Sequence, residues 1–284
     1  MNRSFPKLLL IGMLLLTASA FAQDKNFYVF LCLGQSNMEG FPGIPEEDLK
    51  SVDPRCQVLA AVAFPELKRE AGHWYTAVPP LCRPNCGLSP ADYFARTLAA
   101  QLPEKFKVGV VAVAIGGCKI ELFDKANYRS YVETAPSWMK SAIAAYDGNP
   151  YQRLVELGQV ARQSGVIKGI LLHQGESNTN DHEWPAKVKT LYENLLRDLE
   201  LKAEDVPLLA GELMGADQKG ACASMNAIIG ELPKLIPTAH VVSSLGCIGR
   251  PDHLHFTPEG YRELGRRYAE VMLPLLGAKT PAEK

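Results

Sequence analysis

Short, almost wholly apolar runs alternate with longer stretches of helical periodicity along most of the chain. Residues 27–33 (FYVFLCL), 107–114 (KVGVVAVA), 167–173 (IKGILLH), 206–211 (VPLLAG) and 239–243 (AHVVS) place apolar side chains on both faces of an extended backbone. That is the pattern of strands covered on both sides. Between them, helices are predicted over about 89–102, 151–163, 184–201, 222–235 and 258–276. Ser89-Pro90 supplies a cap and first turn, and Thr257-Pro258 does the same for the last helix. Strand–helix alternation with buried strands predicts an α/β fold with a parallel sheet, helices on both faces and right-handed crossovers. Five strands fit a flavodoxin-like order, 2-1-3-4-5, better than an eight-stranded barrel. The segment 40–88, rich in proline and charge, reads as a long loop after the first strand, with a short candidate strand near 56–62.

In open parallel sheets, ligands bind outside the carboxyl ends of the strands. Four strand-end loops carry chemistry. Gly34-Gln35-Ser36-Asn37-Met38 follows the first strand, and Ile115-Gly116-Gly117-Cys118 the second. Gln174-Gly175-Glu176-Ser177-Asn178 follows the third, and Pro251-Asp252-His253-Leu254-His255-Phe256 comes well after the fifth. A serine hydroxyl needs a base within hydrogen-bond reach, and the base needs a group to orient it. Asp252 and His255 are three apart, which on one helical turn puts both side chains on one face. The carboxylate would fix the imidazole tautomer and leave its other nitrogen free for the serine proton. Candidate oxyanion donors are the N–H groups of Ser36 and Gly117 and the side-chain amide of Gln174.

These blocks resemble those of the SGNH hydrolases. The closest branch is similar to carbohydrate esterase family six and the sialate O-acetylesterases, on GQSNM, IGG, HQGES and DHLH together. The resemblance implies a three-layer α/β/α sandwich and deacetylation of sugar esters with no metal or organic cofactor. It implies Ser36 as nucleophile, His255 as base, Asp252 as its orienter, and Ser36, Gly117 and Gln174 as the oxyanion hole. Gln35, Asn37, Glu176 and Asn178 would contact or support the substrate. Glu176 stands where the wider superfamily commonly has Asn, so Asn178 is a substitute for Gln174 as donor. The substrate is expected to be an acetylated carbohydrate, of sialic acid or xylan type.

Simpler readings compete. Ser36 could merely cap a helix. His253 rivals His255, although the spacing from Asp252 favours the latter. His173 reads as a core histidine. Glu176 and Glu212, both after strand ends, would suit a glycosidase, but that leaves Ser36 and the Asp252–His255 pair without roles. A non-catalytic glycan-binding protein would use Trp74-Tyr75 and Trp138, which otherwise shape a sugar-facing wall.

Charge and composition narrow the partners. With 30 basic and 31 acidic residues and no basic stripe, nucleic acid is not expected as a partner. Residues 1–22 combine Arg3 and Lys7, an apolar run from Leu8 to Leu16 broken only by Gly12, and Ala20-Phe21-Ala22. That is the layout of a secretory signal peptide, too short to span ~30 Å of hydrocarbon. The expectation is an exported protein, periplasmic or secreted, with residues 23–284 as one domain and no stable membrane insertion after signal removal. Seven cysteines are an odd number, so at least one is unpaired within the chain. Cys82 and Cys86 are close enough for a small disulfide, and no second Cys/His pair has zinc spacing. Cys32 lies within an apolar strand and reads as core.

Overall fold

A computed structural model describes residues 23–277. The expected signal peptide lies outside the described residues. The sheet has seven strands: β1 (Asp24–Gly34), β2 (Cys56–Leu59), β3 (Trp74–Thr76), β4 (Lys107–Ala114), β5 (Gly165–His173), β6 (Leu208–Gly211) and β7 (Ala239–Val242). Their order is β3-β2-β4-β1-β5-β6-β7. Every pairing is parallel except β2 with β3.

The expectation of five strands in the order 2-1-3-4-5 is thereby corrected. The segment 40–88 adds β2 and β3, which extend the sheet beyond β4. β2 pairs with Val108, Gly109 and Val110 and so covers an edge of β4 that would otherwise leave its ladder unpaired. β2 falls on the short candidate strand expected near 56–62, while the three residues of β3 are too few for periodicity to register. β2 extends along the free edge of β4, and β3 in turn along β2.

Five helices frame the site: α1 (Ser36–Glu39), α2 (Pro90–Gln101), α3 (Pro150–Ser164), α4 (Trp184–Asp198) and α5 (Pro258–Leu275). Successive β1 side chains face opposite layers. Phe30 meets Phe94 of α2 edge-on, with centroids 4.7 Å apart, and Leu33 shares an apolar pocket with Val188 and Leu191 of α4. α2 starts with the reciprocal Ser89–Asp92 capping box. Thr257 caps α5 by accepting the Gly260 N–H at 3.2 Å. The helix expected over 222–235 is instead two short ones, Met225–Ile229 and Leu232–Leu235.

All seven cysteines are free thiols, so the candidate Cys82–Cys86 disulfide is not formed. The Cys82 thiol donates to the Ala114 carbonyl (3.5 Å) and lies 3.0 Å from the Tyr146 hydroxyl. Among the described residues, no helix is long and apolar enough to cross a membrane.

Candidate active site

β1 ends where it is pressed against β5. At Gly34 (φ +151°) a Cβ would sit 2.0 Å from the His173 carbonyl oxygen, so only glycine fits. The Gln35 N–H then donates to that same carbonyl at 3.0 Å. This contact turns the chain off the sheet and delivers Ser36 at the start of α1.

The partner comes from the loop before α5. Ser36 Oγ lies 2.9 Å from His255 Nε2, and His255 Nδ1 lies 2.8 Å from Asp252 Oδ2. The Asp252–His255 spacing works through a turn rather than a helix. Asp252 Oδ1 accepts the N–H groups of Leu254 and His255, each at 2.9 Å. Between them, His253 takes positive φ (60°), and its carbonyl accepts from the Ala221 N–H at 2.9 Å. His255, not its neighbour, therefore meets Ser36. Burial alone would raise the Asp252 carboxyl. The two backbone donors and the imidazole outweigh it and hold the group below its ordinary value. An ionised Asp252 fixes the proton on Nδ1 and leaves the Nε2 lone pair facing the serine. The His255 ring packs against Phe41, with centroids 4.7 Å apart.

Beneath this surface lies a buried polar layer. Asn37 Nδ2 donates to Glu176 Oε1 (2.6 Å) and to the Leu254 carbonyl (2.9 Å), while Asn37 Oδ1 accepts from the Tyr261 hydroxyl (2.8 Å). One side chain thus ties the serine loop, the His255 loop and α5 together. Gln35 Oε1 accepts from Gln174 Nε2 at 3.0 Å and from the N–H groups of Gly175 and Ser177. Gln174 Nε2 also reaches the Cys118 carbonyl and Asn178 Oδ1, and its Oε1 accepts from Trp184 Nε1 at 2.5 Å. Asn178 donates to Glu121 and Asp181. Gln174 and Asn178, both expected as oxyanion donors, are therefore committed to internal bonds.

Glu176 is half-buried as a residue, but its carboxyl is enclosed and Oε2 has no partner. Burial pushes this carboxyl up to about 7. Burial also lowers the His173 imidazole to about 3, in line with a core histidine. Glu212 Oε2 accepts from Ser243 Oγ and the Ser244 N–H, both at 3.0 Å. The two carboxylates weighed as a glycosidase pair are thus occupied in supporting loops.

The second strand-end loop brings backbone to Ser36. A Cβ at Gly116 would stand 3.7 Å from the Ser36 Cβ. Gly117 is exposed at φ +67°, a conformation that suits glycine, and its carbonyl accepts from Ser177 Oγ at 2.9 Å. The N–H groups of Ser36 and Gly117 make no hydrogen bond among the described residues. Trp138, 58% exposed, stands over Gly117, where a Cβ would be 3.0 Å from the indole. Trp74 is elsewhere. Its ring packs on Phe27 (4.7 Å) and its N–H donates to Ser164 Oγ (3.1 Å), towards the amino end of β1. It does not share the Trp138 wall.

Sequence reading overlooked Tyr261, Trp184 and Phe41, which brace the site. No spacing signal marks them, because Tyr261 and Phe41 meet residues far away in the chain and Trp184 reaches Gln174 across the turn between β5 and α4. The arrangement suits nucleophilic acyl transfer: a hydroxyl, a base aligned by a carboxylate, and free backbone donors beside them.

A family model described as "Carbohydrate esterase, sialic acid-specific acetylesterase" matches residues 26–274. Solved structures share the fold. A protein from Arabidopsis thaliana is 22% identical with a TM-score of 0.67, covering 88% of this chain and 99% of its own. NanS is 19% identical with a TM-score of 0.64, covering 90% and 99%. A carbohydrate acetylesterase from Xanthomonas citri is 19% identical with a TM-score of 0.57, covering 85% of this chain and 55% of its own.

Proposed function

The chain belongs to the carbohydrate esterase family of sialic acid-specific acetylesterases, and from that membership we propose that it is a serine O-acetylesterase acting on acetylated sugars. The observation that carries this reading is the continuous line from Ser36 Oγ through both nitrogens of His255 to Asp252.

Ser36 Oγ attacks the acetyl carbonyl as His255 Nε2 takes its proton. The C–O bond to the sugar then breaks, and His255 returns the proton to the departing sugar oxygen. Water, deprotonated by the same nitrogen, attacks the acetyl-serine, and acetate leaves with Ser36 restored. Asp252 stays ionised throughout and stabilises the imidazolium. The oxyanion is met by the Ser36 and Gly117 N–H groups, each such donor being worth ~2.7–4 kcal/mol of barrier. Gln174 would join them only by giving up an internal bond, so we assign it to bracing, with Gln35, Asn37, Glu176 and Asn178. Trp138 supports a sugar-facing wall above Gly117. The leader-like residues 1–22 support export, which would place the enzyme with glycans outside the cytoplasm. Acetylated sialic acids and acetylated xylan are the substrate types we propose.

The test compares wild type with Ser36→Ala on p-nitrophenyl acetate, acetylated xylan and O-acetylated sialoside. Loss on every ester that wild type cleaves supports the reading. Hydrolysis of an unacetylated glycoside that survives Ser36→Ala would replace it with a glycosidase.

A further inference from the structure

Arg83 lies outside the site described so far, yet its side chain reaches the serine helix. It forms an ion pair with Glu39, which stands three residues after Ser36 on α1 and so shares its face. The Glu39 carboxylate is aimed at the glycine loop after β4. A Cβ at Gly116 would sit 2.7 Å from Glu39 Oε2 and 3.7 Å from the Ser36 Cβ. A negative charge thus lies against the residue that precedes the Gly117 N–H, one of the two donors assigned to the oxyanion.

Such a charge opposes the reaction unless it is cancelled. The tetrahedral intermediate gathers negative charge beside those donors, and a bare carboxylate next to it would raise the barrier. Solvent does little to screen it. The Glu39 and Arg83 side chains are only 14% and 16% exposed, and charges interact more strongly where water is excluded. Arg83 is the cation in place. Its guanidinium carbon lies 5.8 Å from the centroid of the buried Tyr146 ring, and its carbonyl accepts the Cys86 N–H at 3.3 Å. Among the described residues, neither Arg83 nor Glu39 has a second ion-pair partner.

We infer that Arg83 is a positioning residue for acyl transfer: by holding and neutralising Glu39, it keeps that carboxylate from opposing the oxyanion at Gly117. This role deepens the esterase reading and rests on it. The alternative is a mere strut, in which the ion pair only fastens the segment 82–88 to α1. A strut fails whichever partner is removed. A charge shield fails only when Arg83 is removed and Glu39 is left.

The experiment measures kcat and KM on p-nitrophenyl acetate for wild type, Arg83→Gln, Glu39→Gln and the double variant, with circular dichroism as the check on folding. Arg83→Gln should lower kcat about tenfold or more with KM little changed, and added salt should restore part of the loss. Glu39→Gln keeps the shape without the charge and should stay within about threefold of wild type. The double variant should return to the Glu39→Gln rate. Should Arg83→Gln fail to fold, Glu39→Gln decides alone: a rate near wild type supports the shield, and a loss of about tenfold overturns it. An unchanged kcat in Arg83→Gln, a matching loss in Glu39→Gln, or a double variant no faster than Arg83→Gln would overturn the shield and leave the esterase standing. Wild type that cleaves no acetyl ester would overturn both.

Discussion

Two carboxylates sit on strand-end loops within reach of the serine loop, and their surroundings give them opposite characters. Asp252 lies on the outer loop before α5, partly exposed, with two backbone N–H donors and an imidazole on its oxygens. Glu176 lies on the inner loop after β5, its carboxyl enclosed, with the Asn37 amide on one oxygen and nothing on the other. Donors keep the first ionised, while burial favours the protonated form of the second. Residue type alone does not separate an orienter of the base from a structural brace; the supply of donors does.

The largest expected effect tests the outer loop. Ser36→Ala should reduce kcat/KM on p-nitrophenyl acetate by about four powers of ten or more with an unchanged circular dichroism spectrum. Next come the two carboxylates side by side. Asp252→Asn should cost ~10²–10⁴-fold in kcat, because the amide lets the imidazole take the wrong tautomer. Glu176→Gln keeps an acceptor for Asn37 and should cost less than about tenfold. Similar losses in both would erase the distinction.

A second pair of expectations reads the buried groups by pH. Stability carries the mark of Glu176. Its carboxyl is at about 7 when folded against an ordinary 4.5, so between those values the folded chain holds more protons than the unfolded one. Its contribution is full below 4.5 and is lost as pH rises through 7. That amounts to about 3 kcal/mol for a fully enclosed group. His173, lowered to about 3, acts in the opposite sense: its contribution is present above its ordinary value of 6.5 and is lost as pH falls towards 3. The difference between wild type and Glu176→Gln in urea titrations at pH 5 and pH 8 isolates the glutamate. A difference that does not change with pH would contradict its raised value.

The site's parts and the fold's frame were not equally legible. GQSNM, DHLH and the glycine pair announce themselves because a hydroxyl, a carboxylate–imidazole pair and open backbone are uncommon at successive strand ends. β2 was legible as a short candidate strand near 56–62, whereas the three residues of β3 are too few to show a period, and β3 pairs only with β2, itself laid along the free edge of β4. The turn joining Asp252 to His255 was legible in spacing but not in form. Three residues apart fits a helical turn, yet the aspartate's own backbone bonds make a loop instead. The Gln174 network was illegible. Whether an amide faces an oxyanion or a neighbour depends on Gln35, Cys118, Asn178 and Trp184, none of which its sequence position reveals.

Smaller effects refine the contrast. Asn37→Ala removes the bridge between the two loops and should cost about 1–3 kcal/mol of stability, because it leaves the Glu176 carboxyl and the Tyr261 hydroxyl unpartnered in a buried layer. Denaturant midpoints measure it. Trp138→Ala should raise KM for an acetylated oligosaccharide several-fold, about the size of a lost stacking contact, while kcat stays close to wild type.

The central claim is that the Ser36 hydroxyl is the nucleophile. Mass spectrometry of peptides from protein treated with a fluorophosphonate ester reads it directly. One adduct per chain, on Ser36, formed in step with loss of esterase activity and slowed in Asp252→Asn, is the predicted result. Full inactivation with the adduct on another residue, or esterase activity that survives complete labelling of Ser36, would contradict it.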